Sequence, residues 1–273
     1  MAQATPTRFT QKKSLGQVFL KVDWPVERMS ARLKDMGIRR VLEIGPGPGN
    51  LTQGLLNAGM AVTAVEKDVR FATHLAAQAS HFHAVTGASL DVVNTDILRY
   101  DFGSWLAEDP APSAVVGNIP YNISSPLLIK ALAHLPDLKA IMFMTQLEFA
   151  RRVEAKAGGK DFGSLSVYAQ LRSDISFEFE VERSLFKPVP KVDSGVFLVT
   201  PRAHTFAQPI LKTTEQLCRT AFSQRRKKLR NSIRPFLEKK ADPAACPIDL
   251  ERRADSISPE EYVTLARWVL EEE

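Results

Sequence analysis

The chain is poor in the features that mark exported, membrane or metal-scaffold proteins. It has only two cysteines, Cys218 and Cys246, far apart and without histidine or cysteine at ligand spacing. A disulfide framework and a zinc site are therefore not expected, which fits a reducing compartment. No apolar run approaches the roughly 20 residues that span a bilayer. The first ten residues, Met1 to Thr10, contain no apolar core and no cleavage-like pattern, so nothing directs export and a cytoplasmic location is expected. His74, His81 and His83 cluster in sequence, but their spacing fits no strong metal motif, and no metal is expected. Internal repeats and low-complexity tracts are also absent.

What is present is a 273-residue chain, 44% apolar and 25% charged, long enough for one large domain with a small appendage. The net charge is only +5, yet between Arg183 and Lys240 fourteen lysines and arginines face three acids, leaving the remainder net negative. Such asymmetry is the electrostatic footprint of a surface for a polyanion.

Short apolar runs alternate with helical stretches over the first two thirds. Strands are expected at Val41–Ile44, Ala61–Val65, Val92–Thr95, Ser113–Val116, Ala140–Thr145, Ser176–Val181 and Val196–Thr200. Helices are expected at Trp24–Met36, Leu51–Ala58, Val69–Gln78, Pro126–His134 and Glu148–Ala155. This alternation reads as an α/β fold with an open, mostly parallel sheet, in which ligands gather at the carboxyl ends of strands. Pro201 to Pro209 reads as a linker into a small all-α C-terminal domain, giving expected domains of 1–200 and 201–273. One helix is expected from Thr213 through Asn231 to Phe236. Another starts at Ser258, with Pro259 at the first position and Glu261 closing a capping box.

The first strand runs into Glu43-Ile44-Gly45-Pro46-Gly47-Pro48-Gly49. A glycine-rich strand-to-helix turn is by itself a weak signal, shared with dinucleotide enzymes. Pro46 and Pro48, however, lack the N–H groups that would bind a pyrophosphate, and Glu43 adds a negative charge that repels phosphate. S-adenosylmethionine, with a sulfonium, an ammonium and no phosphate, fits better than NAD. Glu66 ends the next strand 21 residues after Gly45, where a carboxylate can accept from both ribose hydroxyls. Asp96, at the end of the third strand, can accept from the adenine amino group.

Asn118-Ile119-Pro120-Tyr121-Asn122-Ile123-Ser124-Ser125 follows the fourth strand. An adenine amino group is a poor nucleophile because its lone pair is delocalised into the ring. The Asn118 oxygen and a backbone carbonyl near Ile119 or Pro120 can accept its two hydrogens and draw the nitrogen toward tetrahedral geometry. Orientation and preorganised dipoles then supply the rate without a strong base. Pro120 stiffens the turn, and Tyr121 offers a ring on which a base can stack.

These stretches resemble the ribosomal RNA adenine dimethyltransferases, with the bacterial small-subunit enzymes as the nearest likeness. The resemblance rests on Leu15 to Leu20, Glu43 to Gly49, Glu66, Asp96, Asn118 to Ser125, Phe186 to Ser194 and Phe222 to Leu229, in the family's order over most of the chain. It implies a Rossmann-like S-adenosylmethionine-dependent domain followed by a small helical one. It also implies dimethylation of the N6 of two adjacent adenines near the 3′ end of small-subunit rRNA, within a pre-assembled subunit. The cofactor pocket would take Val18, Leu20, Glu43, Gly45, Gly47, Glu66, Asp96 and Asn118. Phe186 resembles a second aromatic around the flipped adenine, opposite Tyr121. The family usually has asparagine where this chain has Val18, so only a backbone contact carries over there. Two other readings compete: a large-subunit adenine methyltransferase of the erythromycin-resistance kind, and an RNA-binding ribosome assembly factor.

Arg225, Arg226, Lys227, Lys228, Arg230 and Arg234 concentrate positive charge in the segment read as helical. On a helix, 226 and 230 share one face while Phe222, Leu229 and Ile233 turn inward. Such a surface neutralises phosphates without reading bases, and Lys12, Lys13, Lys187 and Lys191 add charge near the expected mouth of the site. A monomer is expected.

Overall fold

The computed structural model describes residues 18–135, 137–203, 206–238 and 243–271. The expected contribution of Leu15 to Gln17 and of Lys12 and Lys13 lies outside them. All seven expected strands are present among the described residues, and they form one sheet. In chain order they are β2 (Arg40–Ile44), β3 (Ala61–Glu66), β4 (Leu90–Asn94), β5 (Ser113–Asn118), β6 (Ala140–Gln146), β7 (Ser173–Val181) and β9 (Ser194–Pro201). A two-residue β1 (Phe19–Leu20) pairs separately with β8 (Phe186–Lys187).

The sheet order is β4-β3-β2-β5-β6-β9-β7; β4 to β6 run parallel, and β9 is antiparallel to both β6 and β7. This is the Rossmann-like methyltransferase arrangement, with a reversed strand inserted at one edge. Successive side chains on a strand point to opposite faces, so both faces must be covered. Val41 and Val116 join one apolar layer with Val26, Met29 and Leu33 of α1 (Trp24–Asp35) and Leu51, Leu55 and Leu56 of α2 (Asn50–Asn57). Leu42, Ile44 and Val115 join the other, against α4 (Phe102–Glu108), α5 (Ser124–Leu132) and α6 (Leu147–Glu154). α3 (Val69–Thr86) runs two turns past the expected Gln78 and closes at Gly87, whose φ of 72° suits a residue without Cβ. α4 and α7 (Ser164–Gln170) carry no periodic signal because each has only seven residues. α4 is started instead by Asp101, whose carboxylate accepts from Gly103 and Ser104 N–H.

The C-terminal part is helical, with α8 (Gln208–Ser223), α9 (Leu229–Ser232), α10 (Arg234–Leu237) and α11 (Pro259–Leu270). Its core is shared: Leu217, Cys218, Leu229, Ile233, Tyr262 and Leu265 pack with Phe162, Val167 and Leu171 from before position 201. The capping box at α11 forms, Glu261 N–H donating to Ser258 Oγ at 3.1 Å and Ser258 N–H to Glu261 Oε2 at 2.7 Å. The continuous helix expected through Asn231 does not form. α8 stops at Ser223, Gln224 leaves helical geometry, and Lys228 bridges to Arg253. Leu229 and Arg230 N–H groups donate to Arg252 and Leu250 carbonyls at 2.7 and 3.0 Å, so the backbone is taken by residues 250–252 rather than by a preceding helical turn.

At the centre of the sheet, Ile44 lies opposite Val65 on one side and Gly117 on the other. A Cβ on Gly117 would stand 2.7 Å from the Ile44 carbonyl oxygen and 2.9 Å from Ile119 Cδ1. Gly117→Ala is therefore expected to destabilise the fold by about 1–3 kcal/mol, as overpacking does, seen as a fall of several degrees in thermal midpoint. An unchanged midpoint would contradict this packing.

Candidate active site

The parallel register brings the carboxyl ends of β2, β3, β4 and β5 to one cavity. Val18, Leu20, Glu43, Gly45, Gly47, Glu66, Asp96, Asn118, Pro120 and Tyr121 all line it, with Lys67, Ile97, Asn50 and Phe19. Gly45, Gly47 and Gly49 have φ of 59°, 55° and 96°, so the loop takes a path that side chains resist. Glu66 fixes that path. Its Oε2 accepts from Gly47 N–H at 3.1 Å and its Oε1 from Asp68 N–H at 2.7 Å. Burial raises its pKa, and these two N–H donors offset part of the rise.

Asp96 sits two residues beyond the end of β4 rather than on it. Its Oδ2 accepts from Lys67 Nζ at 2.9 Å and its Oδ1 from Leu98 N–H at 3.0 Å. The Lys67 ammonium, followed by the Leu98 N–H, holds this carboxyl below the usual aspartate range. The turn around it is pinned from α5: Lys130 Nζ donates to the carbonyls of Ile97, Leu98 and Tyr100. No motif or spacing in the sequence marks either lysine, although Lys67 directly follows a strand-end acid.

Glu43 is 1% exposed, and burial pushes its pKa up to about 8. The free negative charge expected before the glycine loop is therefore a protonated carboxyl at neutral pH. Thr52 lies near enough to lower it in part, but Glu43 Oε2 and Thr52 Oγ make no aligned hydrogen bond.

The N-terminal segment straps across this loop. β1 pairs with β8 through Phe19 opposite Lys187 and Leu20 opposite Phe186. Asn50 Nδ2 donates to the Leu20 carbonyl at 3.3 Å, and Asn118 Nδ2 to the Val18 carbonyl at 3.4 Å. The Phe19 ring meets Phe71 edge to face at 5.5 Å and stands 2.9 Å from where a Gly47 Cβ would be. Val18 thus lines the cavity and meets Asn118 through its carbonyl.

The turn after β5 is shaped as expected. Ile119 N–H donates to the Met144 carbonyl at 2.8 Å, and residues Tyr121–Ile123 form a single 3₁₀ turn. The Pro120 carbonyl accepts from Ile123 N–H at 3.1 Å and Ser124 Oγ at 3.3 Å, whereas the Ile119 carbonyl accepts from no group among the described residues. Tyr121 is 37% exposed at the rim, with its phenol pKa raised by burial of the rest of the ring. Phe186 departs from expectation. It is fully buried in the layer that holds Leu20 and Val196, and it does not line the cavity. In this arrangement it anchors the strap and presents no face to a base.

The basic segment is also redrawn, since Arg225 to Lys228 form a turn and share no helical face. Arg225 Nε pairs with Asp255 at 3.2 Å and its Nη2 donates to the Lys160 carbonyl at 2.9 Å. Lys228 and Arg230 both pair with Glu251. Arg226 and Lys227 are exposed and make no ion pair among the described residues.

A glycine loop without phosphate donors, a buried carboxyl with one oxygen unpartnered, and acids at successive strand ends suit a cationic nucleoside. The fold and this pocket define an S-adenosylmethionine-dependent methyltransferase. The ribosomal RNA adenine dimethylase family matches residues 8–271. A relative from Psychromonas ingrahamii, named ribosomal RNA small subunit methyltransferase A, is 35% identical over 99% of this chain and 98% of its own. A dimethyladenosine transferase from Plasmodium falciparum superposes with a TM-score of 0.73 at 26% identity, covering 90% of this chain and 95% of that one. The 23S rRNA methyltransferase ErmE does so at 0.68 and 27%, covering 93% and 100%. The chain belongs to the ribosomal RNA adenine dimethylase family, and it is an rRNA adenine N6,N6-dimethyltransferase that takes its methyl groups from S-adenosylmethionine.

Proposed function

We propose that the substrate is small-subunit rRNA, that the targets are two adjacent adenines near its 3′ end, and that the enzyme acts as a monomer on a pre-assembled subunit in the cytoplasm. Among the described residues no helix is long and apolar enough to cross a membrane. The curated relatives at 35–38% identity bear small-subunit names, which favours this substrate over the large-subunit one suggested by the likeness to ErmE.

The observation that carries the mechanism is the engagement of Asn118 Nδ2 by the Val18 carbonyl. With one N–H of the amide directed at Val18, its Oδ1 is turned toward the adenine amino group. The second N–H goes to the Ile119 carbonyl, because the Pro120 carbonyl is already used inside the turn. Two acceptors draw the nitrogen out of conjugation and aim its lone pair. Tyr121 stacks on the extruded base from the rim. The bound cofactor supplies an electrophilic methyl group on sulfur. Glu66 would hold the ribose hydroxyls, Asp96 the adenine amino group of the cofactor, and the glycine loop its amino-acid end. After the first transfer one N–H remains, and one acceptor is enough to hold it for the second.

RNA is held through phosphates at the turn after α8. Arg226 and Lys227 are available at once, and Lys228 and Arg230 become so when Glu251 releases them. Neutralising Arg226 and Lys227 together is expected to reduce the salt slope of RNA binding by about 1.4, from about 0.7 per lost phosphate contact. An unchanged slope would remove the turn from the RNA surface. The substrate is tested by supplying labelled S-adenosylmethionine with unmethylated small subunits, naked small-subunit rRNA or large-subunit rRNA, then mapping the product. Dimethylated adjacent adenines in the small subunit are expected; modification confined to large-subunit rRNA would overturn the proposal.

A further inference from the structure

The methyl-transfer chemistry makes no use of the Glu43 carboxyl, although it lines the cofactor cavity at the end of β2. Its Oε2 is buried without a hydrogen-bond partner, as is Thr52 Oγ. Opposite it on the neighbouring strands are Ala64 and Val116. The buried faces of α1 and α2 present Val26, Met29 and Ser30, and Leu51, Thr52 and Leu55, none of them charged. The charged group that acts on it is Glu66, of the same sign. A bare carboxylate here would lose its water and regain only part of that loss from Thr52, so burial dominates and the group holds a proton at neutral pH.

A cation entering the cavity reverses that balance. We propose that Glu43 is a proton-linked counter-charge for the methyl donor: its O–H bond breaks when the cofactor binds, the proton leaves to solvent, and the donor's positive charge takes its place. This rests on the assignment of the cavity to S-adenosylmethionine. The sign follows from linkage. Free Glu43 is protonated below about pH 8 and ionised in the complex, so binding releases a proton and strengthens as pH rises toward that value.

Titration calorimetry of the full chain with S-adenosylmethionine tests it, run at about pH 6.5 in buffers of low and high ionisation enthalpy. The donor's own amino group, with an ordinary pKa of about 7.7–8.0, is already protonated there and contributes little. The heat is expected to vary with buffer by an amount corresponding to release of about one proton, and affinity to rise by up to about tenfold between pH 6 and pH 7. Glu43→Gln is expected to abolish the release and flatten the pH dependence. Buffer-independent heat in the wild-type chain would overturn the proposal without any variant, and so would undiminished release in Glu43→Gln. Absence of saturable binding would overturn the cavity assignment, and the proposal with it.

Discussion

The site depends on one steric allowance in the middle of the sheet. β2 and β5 can lie in register only because Gly117 has no side chain; a Cβ would stand 2.7 Å from the Ile44 carbonyl oxygen. That register puts the glycine loop after Ile44 beside Asn118, and the pairing of β2 with β3 puts Glu66 beside the same loop. Strand register therefore sets the loop and the catalytic turn, and the side chains of Glu66, Lys67 and Lys130 hold the loop and the Asp96 turn in place before any ligand binds, which is what preorganisation requires.

Over this rigid floor lies a lighter element. The strap at Val18 to Leu20 is held by a two-residue strand pair, by Asn50 and Asn118, and by the seat of Phe19 on Phe71 and Gly47. It touches both halves of the site. Phe19 closes the glycine loop, while the Val18 carbonyl sets the amide orientation of Asn118. A segment at the cofactor side thus orients the acceptor for the base, and Phe186 serves that segment from beneath.

Much of this was legible in the sequence, for physical reasons. Apolar runs that end in Glu66 or Asn118 mark strand ends, and the two prolines in the glycine loop argue against phosphate. The expectations that failed concern direction and partnership. The stretch from Phe186 to Ser194 fixes residue types but not which way a ring turns, and pairing with Leu20 buries Phe186. Helical spacing from Phe222 to Ile233 is genuine, yet residues 250–252 capture the N–H groups of Leu229 and Arg230. Lys67 and Lys130 could not be found from spacing, because their partners lie about thirty positions away.

The central claim is that the Asn118 amide, oriented by Val18, supplies rate by accepting from the target amino group. Its most direct test is single-turnover methyl transfer by Asn118→Ala at saturating cofactor, with RNA affinity measured on the same sample. The account predicts a rate lower by about two orders of magnitude or more, with RNA affinity nearly unchanged. Transfer at the wild-type rate would contradict it.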